Sequence, residues 1–228
     1  LGDQVMAAMG LCIPVTYLGT AVSGIFSTGT QTQCASAVGN GDTEEATRCF
    51  NTSLGILCMV GVALAALILI LADPISVLLG AKGEQANLKS DLFLYLHGIG
   101  ISIPFICLTN TLSSLLYIEG KRRIALIAIA AGTAVNIAGD LSAAFVFKAG
   151  MLGIGLATAL CYIVSSVILL VQFTGKRGKN SAMHVQPSAF SPKSFGKIFK
   201  VGCTMAFVRI CHMLRTWIIN SILAAWFT

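Results

Sequence analysis

No charged side chain stands between Asp3 and Asp42. A stretch that long cannot clothe a water-facing surface, but it suits the hydrocarbon core of a bilayer, which takes about 20 apolar residues per helical span. The chain supplies six such segments. They run from about Val5 to Val38, Cys49 to Ala72, Leu92 to Ile118, Ile124 to Phe147, Ala149 to Gly175 and Val201 to Phe227. The second ends at Asp73-Pro74, a stop signal for a helix. The fourth contains one acid, Asp140, and the sixth carries Arg209, His212 and Arg215. The expected fold is an all-α membrane protein, a polytopic bundle of about six transmembrane helices.

Composition agrees. Only 11% of the 228 residues are charged, against about 25% in a soluble domain, and mean hydropathy is +0.84. The net charge of +6 would by itself suit a nucleic acid, but its location excludes that partner. Lys121, Arg122 and Arg123, and the basic residues between Lys176 and Lys200, sit beside apolar runs, where cytoplasmic loops retain Lys and Arg.

Counting Lys and Arg in alternate loops sets the orientation. Segments 39–48, 119–123 and 175–200 hold ten; the leading residues, 73–91 and Lys148 hold three. The first set is therefore expected in the cytoplasm and the first helix begins outside. An outside start at Leu1, without an initiator Met, reads as a piece cut from a longer chain with a helix upstream. The stretch 175–194, punctuated by Pro187 and Pro192, is a hydrophilic linker. It separates five closely spaced helices (1–174) from one more helix (195–228).

The eight cysteines lie in or beside apolar segments without a CxxC or Cys/His spacing. Neither a disulfide framework nor a metal site is expected. A Ser/His/Asp or His/Glu metal arrangement at membrane depth is also missing, so an enzyme is not expected.

Of nine acidic residues, only Asp140 lies inside a span. A carboxylate there costs at least about 2.5 kcal/mol and marks a functional site unless it is structurally hydrogen-bonded. Asn136 lies one turn away on the same face. The row Ala128, Gly132, Asn136, Asp140, Ala144 keeps small residues that let a neighbouring helix approach. The next helix offers Gly153, Ala157, Cys161 and Ser165, with Thr158 beside them. A carboxylate, an amide carbonyl and a hydroxyl make an oxygen-rich site suited to a hard cation such as Na⁺. The same Asp, desolvated, equally suits a proton.

Arg209, His212 and Arg215, spaced by three, are expected on one broad face of the last helix. They form either a cationic wall of a substrate cleft or a set snorkelling to an interface. Asn110 and Tyr17 are further candidate cleft residues, His97 reads as a hydrogen-bonded helix residue, and Pro14 and Pro104 as kinks.

The run Asn136-Ile-Ala-Gly-Asp140, with Phe145-Val-Phe147 and Gly153-Ile-Gly-Leu-Ala-Thr158, resembles the fifth-to-sixth helix signature of multidrug and toxic compound extrusion (MATE) transporters. Leu1-Gly2 to Ala7-Ala8, Val38-Gly-Asn-Gly-Asp42 with Ala46, Ala72-Asp-Pro74 to Leu79-Gly80, and Pro104 to Gly120 are similar to the family in the same order. The resemblance implies a two-lobe, twelve-helix fold. Residues 1–174 then correspond to most of the N-terminal lobe, 175–194 to the cytoplasmic linker and 195–228 to the first helix of the second lobe. The family's first helix and nearly all of its second lobe are absent from this chain. It also implies that Asn136, Asp140 and Thr158 belong to a cation site completed by an Asp on that first helix. Leu141 replaces the family's usual Pro, which implies a different bend beside Asp140, and Gly202-Cys203-Thr204 replaces Gly-Leu-Pro.

The expected function is an antiporter of the cytoplasmic membrane, driven by Na⁺ or H⁺ as coupling ion and without a cofactor, exporting a small organic substrate. Its partners are the lipid bilayer and the rest of the transporter. The alternatives are a lipid-linked saccharide flippase of the same superfamily and a non-transporting truncated membrane protein. The compact Asn136–Asp140–Thr158 group favours cation coupling.

Overall fold

The structure, a computed structural model, describes residues 8–79, 86–147, 149–174, 181–186 and 190–227. The first hairpin turns where its sequence changes character. Helix α1 (Ile13–Gly39) gives way to Asn40-Gly41, with Gly41 at φ 77°, a left-handed conformation open to glycine at no steric cost. Asp42 then caps α2 (Thr43–Ile70) by accepting from the Glu45 amide at 2.9 Å. Glu44 and Glu45 in the first turn complement the helix dipole. Helical residues also precede α1, from Ala8, and the helix is interrupted at Cys12. Pro14, two positions on, has no amide to return to Gly10, which accounts for the break.

The stop expected at Asp73-Pro74 falls slightly earlier. Helix α2 ends at Ile70, with Leu71 as its cap, and Asp73 and Pro74 occupy the first turn of a short helix α3 (Ala72–Leu78). A first turn tolerates Pro because its amide would have no helical partner there. Helix α4 (Ala86–Ile118) continues through Pro104. Gly61 of α2 accommodates that proline: a Cβ there would lie 3.0 Å from Pro104 Cα. Helices α5 (Arg122–Leu141) and α6 (Gly150–Leu170) follow, the first ending in a π-helical turn at Ser142–Val146. Helix α7 (Pro192–Phe227) completes the described chain.

Helix α4 is the central post. Leu96, Ile99, Ile103, Leu112, Leu115 and Leu116 are buried on it, against α6 on one side and α1 and α2 on the other. Helix α1 makes its largest contact with α7. The other faces are apolar and open: Met59, Ile70, Leu126 and Ile127 are 60–78% exposed. In water such a belt would be an association patch; against acyl chains it is the ordinary surface of a membrane bundle. Lipid is as apolar as leucine, so the helices associate through close packing of small residues. Gly98 of α4 meets Gly155 of α6 so closely that a Cβ on Gly98 would lie 2.5 Å from Gly155 Cα. Gly29 of α1 and Gly202 of α7 abut the opposing backbones at Ile198 and Ile25 in the same way.

Five helical segments among the described residues are long and apolar enough to cross a membrane: Ala8–Gly39, Thr43–Ile70, Leu88–Ile118, Arg122–Val146 and Gly150–Phe173. The chain is a multi-pass membrane protein. The sixth expected span is helical, inside the 36-residue α7, but it is not one of the five. Two arginines and a histidine in its middle lower its hydropathy.

The linker differs from a free connection where it is described; 175–180 and 187–189 lie outside the described residues. Asn51, buried near the start of α2, donates to the His184 carbonyl at 2.9 Å and accepts the Gln186 amide at 2.7 Å. Thr52 accepts the Ser191 amide at 2.9 Å, and Met183 is fully buried. A paired backbone and one buried side chain dock this stretch on α2.

Candidate functional site

Asp140 and Asn136 lie one turn apart on α5, both half-buried. They do not bond each other. Asp140 Oδ1 and Asn136 Nδ2 are buried atoms that find no hydrogen-bond partner among the described residues. Buried polar atoms are nearly always paired, so two orphans a turn apart on a span with no other acid mark this place as the candidate site. Asp140 also lines a cavity of about 410 Å³ with Leu141, Ala143, Phe145, Gly150 and Ile154. The π-helical turn begins two residues after Asp140, at the place where the family's proline is replaced by Leu141. Such turns insert an extra residue and often accompany functional positions.

The small-residue rows expected to pack α5 on α6 do so. Gly132 abuts Ser165 and Cys161, and Ser165 Oγ donates to the Ala128 carbonyl at 3.0 Å. A Cβ on Gly139 would lie 2.7 Å from the Ala157 Cβ. Thr158 follows Ala157 on α6, one residue past this contact. Its hydroxyl, however, donates to the Ile154 carbonyl of its own helix at 3.2 Å. The structure thus sets Asp140 and Asn136 one turn apart on α5, and among the described residues Thr158 bonds neither of them. Its oxygen lone pairs remain available to a cation.

The expected cationic wall is divided. Arg209 lines a cavity of about 540 Å³ between α1, α4, α5, α6 and α7. His212 and Arg215 line a separate, shallower recess of about 250 Å³ with Phe207, Val208 and Cys211. Of the further cleft candidates, Asn110 is in the larger cavity and donates to Ser23 Oγ at 2.9 Å. Tyr17 is not among its lining residues; it stacks on His212, with ring centroids 6.4 Å apart and planes 26° apart. His97 bonds the Phe93 carbonyl through Nδ1 at 2.8 Å, the helix residue expected.

The larger cavity contains residues that sequence reasoning passed over. Thr20, Ser23, Ser27 and Thr28 project from α1, and Thr109, Ser113 and Ser114 from α4. The signal was available in the polar run Thr109-Asn-Thr-Leu-Ser-Ser114 inside an apolar span. Spaced singly, hydroxyls in a membrane helix usually bond their own backbone, and several here do: Thr20 to Tyr17, Ser114 to Thr111, Thr133 to Ile129.

A multi-helix bundle with an isolated carboxylate in one span and a polar cavity between its helices is an arrangement found among the polytopic transporters. The MatE family model matches residues 1–142, and the chain belongs to that family. It is 26% identical over 229 residues to the multidrug export protein MepA of Staphylococcus saprophyticus, covering 99% of this chain and 49% of the relative. It is 25% identical over 226 residues to MepA of Staphylococcus aureus, covering 97% and 48%. A solved outward-facing multidrug resistance MATE family transporter of the MOP superfamily superimposes with a TM-score of 0.85 at 25% identity, over 97% of this chain and 49% of that one. The chain thus spans about half the length of the relatives it matches.

Proposed function

We propose that this chain is part of a secondary antiporter of the cytoplasmic membrane, in which Na⁺ or H⁺ moving inward drives export of an organic compound. The observation that carries the reading is Asp140, the one acid inside a span, with an orphaned buried oxygen one turn from the orphaned amide of Asn136. Membership of the MatE family and likeness to multidrug export proteins support it. Asp140 supplies the charge that takes up the ion, and Asn136 turns its amide oxygen toward it. Thr158 contributes hydroxyl lone pairs. The division into 1–174 as N-terminal lobe, 175–194 as connection and 195–228 as the opening of a second lobe belongs to the same reading.

Loading neutralises a carboxylate that is otherwise unpaired at membrane depth. The loaded and empty forms therefore favour different arrangements of the lobes, and an ion gradient biases the exchange between them. In the complete transporter, Asp140→Asn is expected to abolish cation-driven efflux while the protein remains inserted and abundant. Undiminished efflux by that variant overturns the assignment.

A further inference from the structure

Building on the export reading, we infer that the end of the linker is a releasable latch. It hooks the start of α7 onto α2, holds the α1–α7 contact shut on the side that the basic loops assign to the cytoplasm, and comes undone in each transport cycle. The contact that it closes is a seam. Ser194, Ile198, Gly202 and Ala206 are all buried, and their spacing of four puts them in one row along α7, where it meets α1 and α2. Gly202 lies against the Ile25 backbone of α1, and Gly29 of α1 against the Ile198 backbone. Glycine at both places lets the two main chains touch. The row fades toward the other end of α7. Residues 207–211 are exposed, and beyond them only His212, Met213, Thr216 and Asn220 are half-buried among the described residues. The two helices are therefore clamped most tightly at the end where the linker enters.

The linker divides into two parts by how it is held, and both are held by contacts that the chain makes with itself. Residues 181–186 are anchored. Met183 is fully buried, Asn51 bonds the backbone on both sides of Val185, and the Val185 amide donates to the Phe173 carbonyl at 3.0 Å. Ser181 donates to Glu119, whose carboxylate is 5% exposed and also pairs with Lys121. Lifting this part would expose apolar surface and strip buried polar groups of their partners, so it stays in place through the cycle. The second part is held by exchangeable contacts. Phe190 lies exposed over Gly55 of α2. The Ser191 amide donates to Thr52 Oγ1 at 2.9 Å, and Lys197 Nζ reaches Glu45 Oε1 at 3.2 Å with its own side chain 58% exposed. Water can take over the Ser191 amide and the Lys197 ammonium at small cost. While they hold, however, these two contacts tie the first turns of α7 to α2 on either side of Ser194, and Lys197 directly precedes Ile198 of the seam. Motion that parts α7 from α1 at Ile198 has to break them first, and their re-forming biases the exchange toward the closed seam.

The test uses the complete transporter on a cysteine-reduced background. Thr52→Cys/Ser191→Cys, bridged by the shortest bis-methanethiosulfonate, should stop efflux, and a reductant should restore it. Glu119→Cys/Ser181→Cys, bridged in the same way across the anchored part, should leave efflux running. Efflux that continues with the bridge formed between positions 52 and 191 overturns the inference. So does an equal block by both bridges, which would make the linker one piece. A second measurement needs no substrate. Ala206 is 5% exposed on the seam. In inside-out vesicles a water-soluble maleimide should label Ala206→Cys about 3- to 30-fold faster when Thr52→Val and Lys197→Gln undo the hook, the range for one hydrogen bond and one surface ion pair. An unchanged rate overturns the latch. Faster labelling in a transporter through which no cation gradient drives export would keep the latch and remove the antiport reading. Cation-driven efflux that is indifferent to the bridge between 52 and 191 would do the reverse.

Discussion

Replacing Asn51 by Ala should loosen the 181–191 connection without detaching it. The side chain is 6% exposed and joins the linker twice, to the His184 carbonyl at 2.9 Å and the Gln186 amide at 2.7 Å. A neutral hydrogen bond contributes about 0.5–1.5 kcal/mol net, and more is lost when a buried partner is left unpaired. Gln186 is exposed, so water takes over its amide; the full penalty applies only at His184. The local cost is therefore about 1–2 kcal/mol, which is roughly a 5- to 30-fold rise in opening. Four anchors remain: the Ser181 hydroxyl donating to the Glu119 carboxylate, the fully buried Met183, the Val185 amide donating to the Phe173 carbonyl at 3.0 Å, and Ser191 on Thr52. Met183→Ala removes a buried side chain and should cost about 2–5 kcal/mol, so this variant should release the strap more fully than Asn51→Ala. Hydrogen exchange read peptide by peptide distinguishes them. Unchanged protection across 184–191 in Asn51→Ala would refute the claim that this side chain holds the linker.

Two further outcomes are expected. In intact cells, on a cysteine-reduced background, Ser90→Cys should react with an impermeant maleimide and Thr43→Cys should not; the reverse labelling would sink the orientation taken from the loops. In proteoliposomes, Asn136→Ala and Thr158→Ala should each raise the half-saturating cation concentration, and the double variant should depart from additivity by about 0.5–3 kcal/mol. Strictly additive shifts would reduce both side chains to packing.

Much of the fold was legible because a bilayer demands length and apolarity, which can be read residue by residue. The runs ending near Val38, Ile118 and Phe147 became helices ending at Gly39, Ile118 and Val146. The α5–α6 crossing was legible for a related reason: only rows of small residues let two helices meet at the separation seen between Gly139 and Ala157. The docked linker was not legible. A Pro-punctuated hydrophilic stretch reads the same whether solvent or an Asn side chain satisfies its amides, and Asn51 lies more than 130 residues earlier in the chain. Nor was the π-helical turn, since Leu141 in place of a proline announces a changed bend but not its form.

The divided arginines were within reach of arithmetic. At about 100° per residue, a step of three turns a helix back by about 60°, so Arg209 and Arg215 diverge by about 120°. One narrow cleft cannot take both, and spacing by three distributes residues around a helix over two steps instead of aligning them. Arg209 accordingly enters the hydroxyl-lined space beside Gly24. Arg215 falls among Phe207, Val208 and Cys211, with His212 between them and stacked on Tyr17. A guanidinium at the centre of an apolar span costs about 2.5–3.5 kcal/mol on the insertion scale, and the two positions relieve that differently. The recess at Arg215 is largely apolar and open, so its side chain can extend toward water. Arg209 is exposed as well, but on the hydroxyl-lined cavity, whose oxygen lone pairs can also solvate the guanidinium.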